Sequence, residues 1–235
     1  QVLYGDSLVL TFVADDCSEV DSIWVDGMYV GSTTNYTLQQ ISQNMNVRVV
    51  LKERSYLIVA HAAVGGTISP DDSTEVICGQ DITYNMLPEA GYQLTAIVVD
   101  GDTLPANSTY AFTDVRATHT IEALFERNAY VVTTEIVGNG TASVPNVVTV
   151  LWGDSLSMEF YPTDCYEVDS VIVNGIYVGN MSAYTLYNIT DNQDVRIVFG
   201  LLEYEVNVST IGGGNCSPSG NIAVYCGDSL PITMS

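Results

Sequence analysis

The chain has 235 residues, room for one large domain or two to three small ones, and 47% of them are apolar, enough for real cores. Its 28 acidic residues against six basic give a net charge of −22, which speaks against nucleic acid, whose phosphates need clustered Lys and Arg, and against docking on an anionic membrane. No apolar run approaches the roughly 18 residues of a membrane span, and Gln1, with neither an initiator Met nor a signal peptide around it, is expected to be an internal residue of a longer protein.

One spacing organises the elements. Gly5, Gly79, Gly153 and Gly227 are each 74 apart, as are Tyr56, Tyr130 and Tyr204, and Tyr36, Tyr110 and Tyr184. Internal repetition of this kind takes precedence over any other reading. It divides the chain into a partial unit (1–54), two whole units (55–128 and 129–203) and a second partial unit (204–235). The junctions KERSY, ERNAY and LLEY contain no Gly/Ser/Pro-rich linker.

In the first unit, Leu8, Leu10 and Phe12 alternate with other residues, the period-2 pattern of a half-buried strand. Asp26-Gly27 between apolar runs signals a tight hairpin, since both turn residues need positive φ. That turn predicts Val25 opposite Met28 and Ile23 opposite Val30, with Trp24 and Tyr29 facing each other on the other side. Val47, Val49 and Leu51 alternate in a closing strand. The second unit repeats this order: a Tyr56-led run (YLIVA), then Ile82, Tyr84 and Met86, then Asp100-Gly101, then Ile121, Ala123 and Phe125. The third runs YVVTT, Leu156, Met158 and Phe160, Asn174-Gly175, then Val195, Ile197 and Phe199. The fourth begins YEVNV and reaches Leu230, Ile232 and Met234. No convincing amphipathic helix interrupts the pattern. The expected fold class is all-β, a tandem array of small β domains of about 74 residues, each β-sandwich or β-grasp-like.

Gly-Asp-Ser-Leu stands at 5–8, 153–156 and 227–230 and resembles the nucleophile block of the GDSL esterases and lipases. Two observations turn that reading aside. The second unit has Gly79-Gln80-Asp81-Ile82, which keeps the glycine and the apolar residue and loses the serine. The family's Asp-x-x-His is also missing, because Arg116 stands three before His119, and His61 has no acid nearby. A hydroxyl without a base is a poor nucleophile. Ser7, Ser155 and Ser229 are therefore read as turn residues of a three-residue hairpin loop, and no catalytic residue is assigned. Carboxylate pairs at Asp15-Asp16, Asp71-Asp72 and Asp100-x-Asp102 could offer oxygens to Ca²⁺, but none matches an EF-hand loop or recurs in phase; no metal site or other cofactor is assigned. Trp24 and Tyr29, with Ile172 and Tyr177 in the third unit, either pack against neighbouring elements or form a ligand platform.

The five cysteines form no CxxC or Cys/His metal pattern. Cys17 and Cys165 share one slot of the repeat, and Cys78 and Cys226 share another. Pairing within a unit always leaves one cysteine short. Pairing across neighbouring units gives Cys17/Cys78, Gly91/Trp152 and Cys165/Cys226, either two cysteines or none. The register thus predicts two staples between successive units, an oxidising compartment, and an unstapled, more flexible middle junction; the alternative is buried free thiols. Cys216 is left over, to pair elsewhere.

The order of motifs resembles the divergent internalin-B-type B-repeat of bacterial surface and secreted proteins, especially of Bacteroidota. The second unit carries GGTISP, PEAGYQLTAIVVDG, STYAFTDV and HTIEALF, and the third GNGTAS, YPTDCYEVDSVIVNG, SAYTLYNIT and VRIVF. The resemblance implies a small extracellular or cell-surface β domain that contacts neighbouring repeats of its own chain, and it offers no catalytic residues. Asp-Ser/Thr before an aliphatic residue or Thr also resembles the O-glycosylation signal of that phylum, at Ser7, Ser22, Ser73, Thr103, Ser155, Ser170 and Ser229. The expected function is a structural stalk or filament of an adhesin. The alternative is a carbohydrate- or protein-binding module that meets a host or cell-surface ligand through Trp24, Tyr29 and Tyr177.

Overall fold

The computed structural model describes residues 2–235, and these contain strands, turns and loops but no helix. In the first partial repeat lie β1 (Leu8–Thr11), β2 (Ser18–Val25), β3 (Met28–Gly31), β4 (Asn35–Leu38) and β5 (Val47–Glu53). The second holds β6 (Ser55–Ala62), β7 (Gly66–Ser69), β8 (Asp72–Ile77), β9 (Ile82–Pro88), β10 (Tyr92–Val99), β11 (Asp102–Pro105), β12 (Thr109–Phe112) and β13 (His119–Arg127). In the third, β14 (Ala129–Val137), β15 (Gly140–Ala142), β16 (Val147–Leu151), β17 (Leu156–Pro162), β18 (Tyr166–Val173), β19 (Ile176–Gly179), β20 (Ala183–Leu186) and β21 (Gln193–Leu201) follow in the same phase. The last segment contributes β22 (Glu203–Val208), β23 (Cys216–Ser217), β24 (Gly220–Tyr225) and β25 (Thr233–Met234). By compactness the chain forms two units, residues 1–126 and 127–235.

A whole repeat has two layers. In the second, a five-stranded sheet runs β11-β10-β13-β6-β8 and a three-stranded sheet runs β12-β9-β7. The repeat's first and last strands, β6 and β13, lie side by side and parallel, His119 opposite Ile58. This is the strand order of a grasp-type sheet. Where such a fold carries a helix between its second and third sheet strands, this chain has β9. Its Tyr84 and Met86 are buried and its Thr83 and Asn85 exposed, so the segment has a face only as a strand. Both layers feed one core, including Ile58, Ile68, Tyr84, Ile97, Phe112, Ile121 and Phe125. The third repeat copies the plan, β16-β14-β21-β18-β19 over β15-β17-β20, around Val132, Met158, Phe160, Val171, Ile197 and Phe199. Sandwich and grasp are thus reconciled: the large sheet has the grasp order and an all-β second layer covers it.

Two local expectations are corrected. In the hairpin at Asp26 (φ 50°) and Gly27 (φ 81°), Val25 pairs with Met28 and Trp24 with Tyr29, but Ile23 faces Gly31 rather than Val30. Val30 is an extra residue, a β-bulge that Gly31 permits at φ 142°. The third repeat has the same bulge, Val171 opposite Gly179 at φ 138°. In the second repeat Pro105 occupies that slot, its ring holds φ near −65°, and the pairing runs unbroken through Ala96 opposite Pro105.

The glycine turn is not a hairpin loop. Residues 78–81 leave β8 in the five-stranded sheet and enter β9 in the three-stranded one. The turn therefore carries the chain from one layer to the other. Gly5, Gly79 and Gly153 adopt φ of 86°, 82° and 81°, and their amides donate to the carbonyls of Ile41, Val115 and Ile189 at 2.8, 2.9 and 2.8 Å.

Candidate functional site

The junction between repeats is a clasp. Arg54, just before β6, donates its amide to the Cys17 carbonyl at 2.8 Å and accepts from the Cys78 amide at 2.9 Å. One residue thus draws the end of one repeat's layer crossing beside the glycine turn of the next. Cys17 and Cys78 form a disulfide there, with Cα atoms 5.3 Å apart, well inside the range a disulfide spans. Leu202 makes the same two bonds, to Cys165 at 2.8 Å and from Cys226 at 2.9 Å, and those cysteines are bonded with Cα atoms 5.4 Å apart. The 127–235 unit opens differently. Trp152 stands in the slot of Cys78, its amide donates to Asn128 at 2.8 Å, and Arg127 grips the neighbouring Asp154 with both guanidinium ends at 2.9 to 3.0 Å. That ion pair was not legible beforehand, because Glu53 and Leu201 hold the slot of Arg127 elsewhere.

Cys216 lies on β23 in the slot of Ile68 and Ala142, the first buried and the second half-buried against the cores of their repeats. Its position is an inward, core-type one. A small apolar thiol suits it.

Ser7, Ser155 and Ser229 are exposed, and among the described residues none of their hydroxyls is hydrogen-bonded to a histidine. His119 lies elsewhere, its Nδ1 2.6 Å from Asp100 Oδ2 at the tip of the second repeat's hairpin. Asp100 also accepts the Thr120 amide at 2.8 Å. Desolvation pushes this carboxyl upward, but the bonds from His119 and Thr120 and the charge of His119 outweigh it and hold Asp100 below its usual range. The tie recurs: Asp26 accepts the Asn46 amide at 2.8 Å and Asn174 the Asp194 amide at 2.9 Å. It fastens the hairpin tip to the closing strand. His61 is exposed, beside Asp71 and Asp72 in a shallow depression. No group of three or more His, Cys, Asp or Glu gathers as a metal set among the described residues.

The hairpin face of the first repeat is aromatic. Trp24 and Tyr29 meet edge to face, ring centroids 5.7 Å apart, and are 37% and 58% exposed. The Trp24 indole donates to Ser22 Oγ at 3.0 Å, which fixes the ring. On its other flank Trp24 is directly opposite Arg48 of β5. The matching row in the third repeat is Tyr177, Ile172 and Arg196, with Tyr177 exposed and Arg196 held by Glu135 at 3.3 Å. Arg48 was missed in the sequence, where only its strand register against Trp24 could have found it.

Among the Asp-Ser/Thr slots, Ser7, Ser73, Thr103, Ser155 and Ser229 are exposed and Ser170 is half-buried. Ser22 is different. It is buried, and its oxygen already accepts from Trp24, so it has no room for a glycan.

Residues 56–129 match the family model of the divergent InlB B-repeat domain. The second repeat belongs to that family. Its match begins one residue into β6 and ends as β14 opens, so it spans both layers of a divergent InlB B-repeat. No curated protein matches the chain. No helix among the described residues is long and apolar enough to cross a membrane.

Proposed function

We propose that this chain is a structural stalk or filament segment of a secreted or cell-surface bacterial adhesin, with no catalytic activity of its own. The observation that carries the reading is the junction clasp. A disulfide beside two backbone hydrogen bonds makes successive repeats one covalently closed body, and a load-bearing array needs that more than an isolated domain does. Alternation adds support. Repeats one and three carry the hairpins DGMYVG and NGIYVG, repeat two carries DGDTLP, and each disulfide joins an odd repeat to the even one after it. The building block is then a stapled pair of repeats. The same disulfides are compatible with an extracellular compartment.

Two measurements test this. Antibodies to residues 55–128, used on intact source cells, should label the exterior; labelling confined to the cytoplasm refutes the stalk. A fluorophosphonate probe should leave Ser7, Ser155 and Ser229 unlabelled in the folded protein, and covalent labelling of any of them would reinstate the esterase reading. The exposed Trp24–Tyr29 pair favours a second reading, a carbohydrate- or protein-binding face carried on the stalk.

A further inference from the structure

Five of the six basic side chains are engaged by carboxylates: Lys52 and Arg54 by Glu19, Arg116 by Asp114, Arg127 by Asp154 and Arg196 by Glu135. Arg48 has no such partner among the described residues. In a chain of net charge −22, carboxylates are plentiful, and a guanidinium left without one marks a place where an anion from outside can bind. Arg48 lines an open cleft of about 450 Å³ with Trp24, Gly27 and Asn46. The indole is held in place by Ser22, so its faces are presented without loss of side-chain freedom on binding. Asn46 has its amide N–H tied to Asp26, and its exposed side-chain amide offers one donor group and one acceptor toward the cleft.

We infer that this cleft binds a sugar residue bearing a carboxylate, with the pyranose stacked on Trp24, its acid on Arg48 and its hydroxyls on Asn46. The inference rests on the binding-face reading and names its ligand class. Charge decides between one carboxylate and many. Arg48 is a single cation, and the surrounding chain repels a polyanion at long range. A saccharide with one uronate-type residue satisfies the site; a polyuronate or sulfated chain does not. The molecule contains its own negative controls. The third repeat replaces Trp24, Asn46 and Arg48 by Ile172, Asp194 and a guanidinium already paired, and the second by Val98, Thr120 and Glu122.

The test titrates the 235-residue chain, carrying Trp152→Phe so that Trp24 is the only indole, with a glucuronate-terminated trisaccharide and its glucose-terminated counterpart. Trp24 fluorescence should respond to both, with the acid bound about tenfold tighter or more, the size of one charge-assisted hydrogen bond. Arg48→Gln should abolish that preference and leave the neutral sugar unchanged. Calorimetry on Trp24→Ala should show both lost. Equal binding of acid and neutral sugar overturns the carboxylate assignment and spares the binding face. Binding that survives Trp24→Ala places the ligand elsewhere and overturns the site, and binding of neither sugar nor of a peptide with a free C-terminal carboxylate overturns both readings. A peptide with a free C-terminal carboxylate that binds while neither sugar does makes the partner a protein and overturns the saccharide.

Discussion

The clasp predicts what its loss costs. Consider Cys17→Ser and Cys78→Ser together. The disulfide closes a loop with a sequence separation of 61 residues. In the chain-entropy model a loop of this length removes about 14 cal/mol/K from the unfolded chain, or roughly 4 kcal/mol at 25 °C. The native side changes little by comparison, because the two Arg54 backbone bonds hold the same residues together without sulfur. The loss therefore falls almost wholly on the unfolded state. In urea, with a slope of about 2 kcal/mol/M, the unfolding midpoint of the 1–126 unit should drop by about 2 M, with the slope altered by the looser denatured chain. Dithiothreitol should bring the 1–126 transition of the native protein to the same midpoint and leave that transition unmoved in the double variant, which keeps only the Cys165–Cys226 disulfide of the other unit. Cys165→Ser with Cys226→Ser should shift the transition of the 127–235 unit instead. A midpoint within about 0.3 M of the oxidised native protein would refute the reasoning, since it would leave less than about 1 kcal/mol for a 61-residue closure.

How much of this could be read beforehand depended on whether the signal lay in phase or in pairing. Phase was legible. The 74-residue register placed Tyr84 and Met86 inward, Asp100-Gly101 at a turn, and two cysteine slots at a junction, because each needs only one residue type at one position. Pairing was not. Gly79 marked a turn, but whether β8 folds back on β9 or hands over to a second sheet depends on β6, which precedes it across β7 and takes β8 as its antiparallel partner. Val30 looked like a partner for Ile23, and only the positive φ of Gly31 makes it a bulge. Ser22 matched a modification signal that depends on three neighbouring residues, while its burial depends on Trp24 and on the sheet behind it. Arg48 carried no motif at all. Its meaning comes from lacking a carboxylate, which can be seen only once every other cation has been given one.

Three further outcomes follow from the geometry. Intact-mass analysis of protein from the native source should exceed the sequence mass, with sugar on the exposed slots Ser7, Ser73, Thr103, Ser155 or Ser229 and none on Ser22; a bare mass, or a glycan on Ser22, defeats that assignment. Asp100 lies below its ordinary value of 3.8, so the stability it contributes is full above that value and is lost as pH falls from there through the lower folded value. Asp100→Asn keeps the acceptor for the Thr120 amide, as Asn174 does for Asp194, so the variant should lose less melting temperature on acidification than the native protein; parallel curves would show the carboxylate to be inert, and its exposure keeps the effect small. The sharpest steric test is Gly66→Ala. Gly66 has ordinary φ, so a methyl group there strains no backbone. Its Cβ would fall on the ring of Phe125, which is buried on the closing strand, and the same contact recurs between Gly140 and Phe199. Because β7 lies in the three-stranded layer and β13 in the five-stranded one, the ring has the second layer above it and its own strand below. Relief requires an off-rotamer ring or a shift of β7 along β9, and overpacking of this kind costs about 1–3 kcal/mol. Urea unfolding of Gly66→Ala within about 0.5 kcal/mol of the native protein would mean that the two layers are looser than their packing implies.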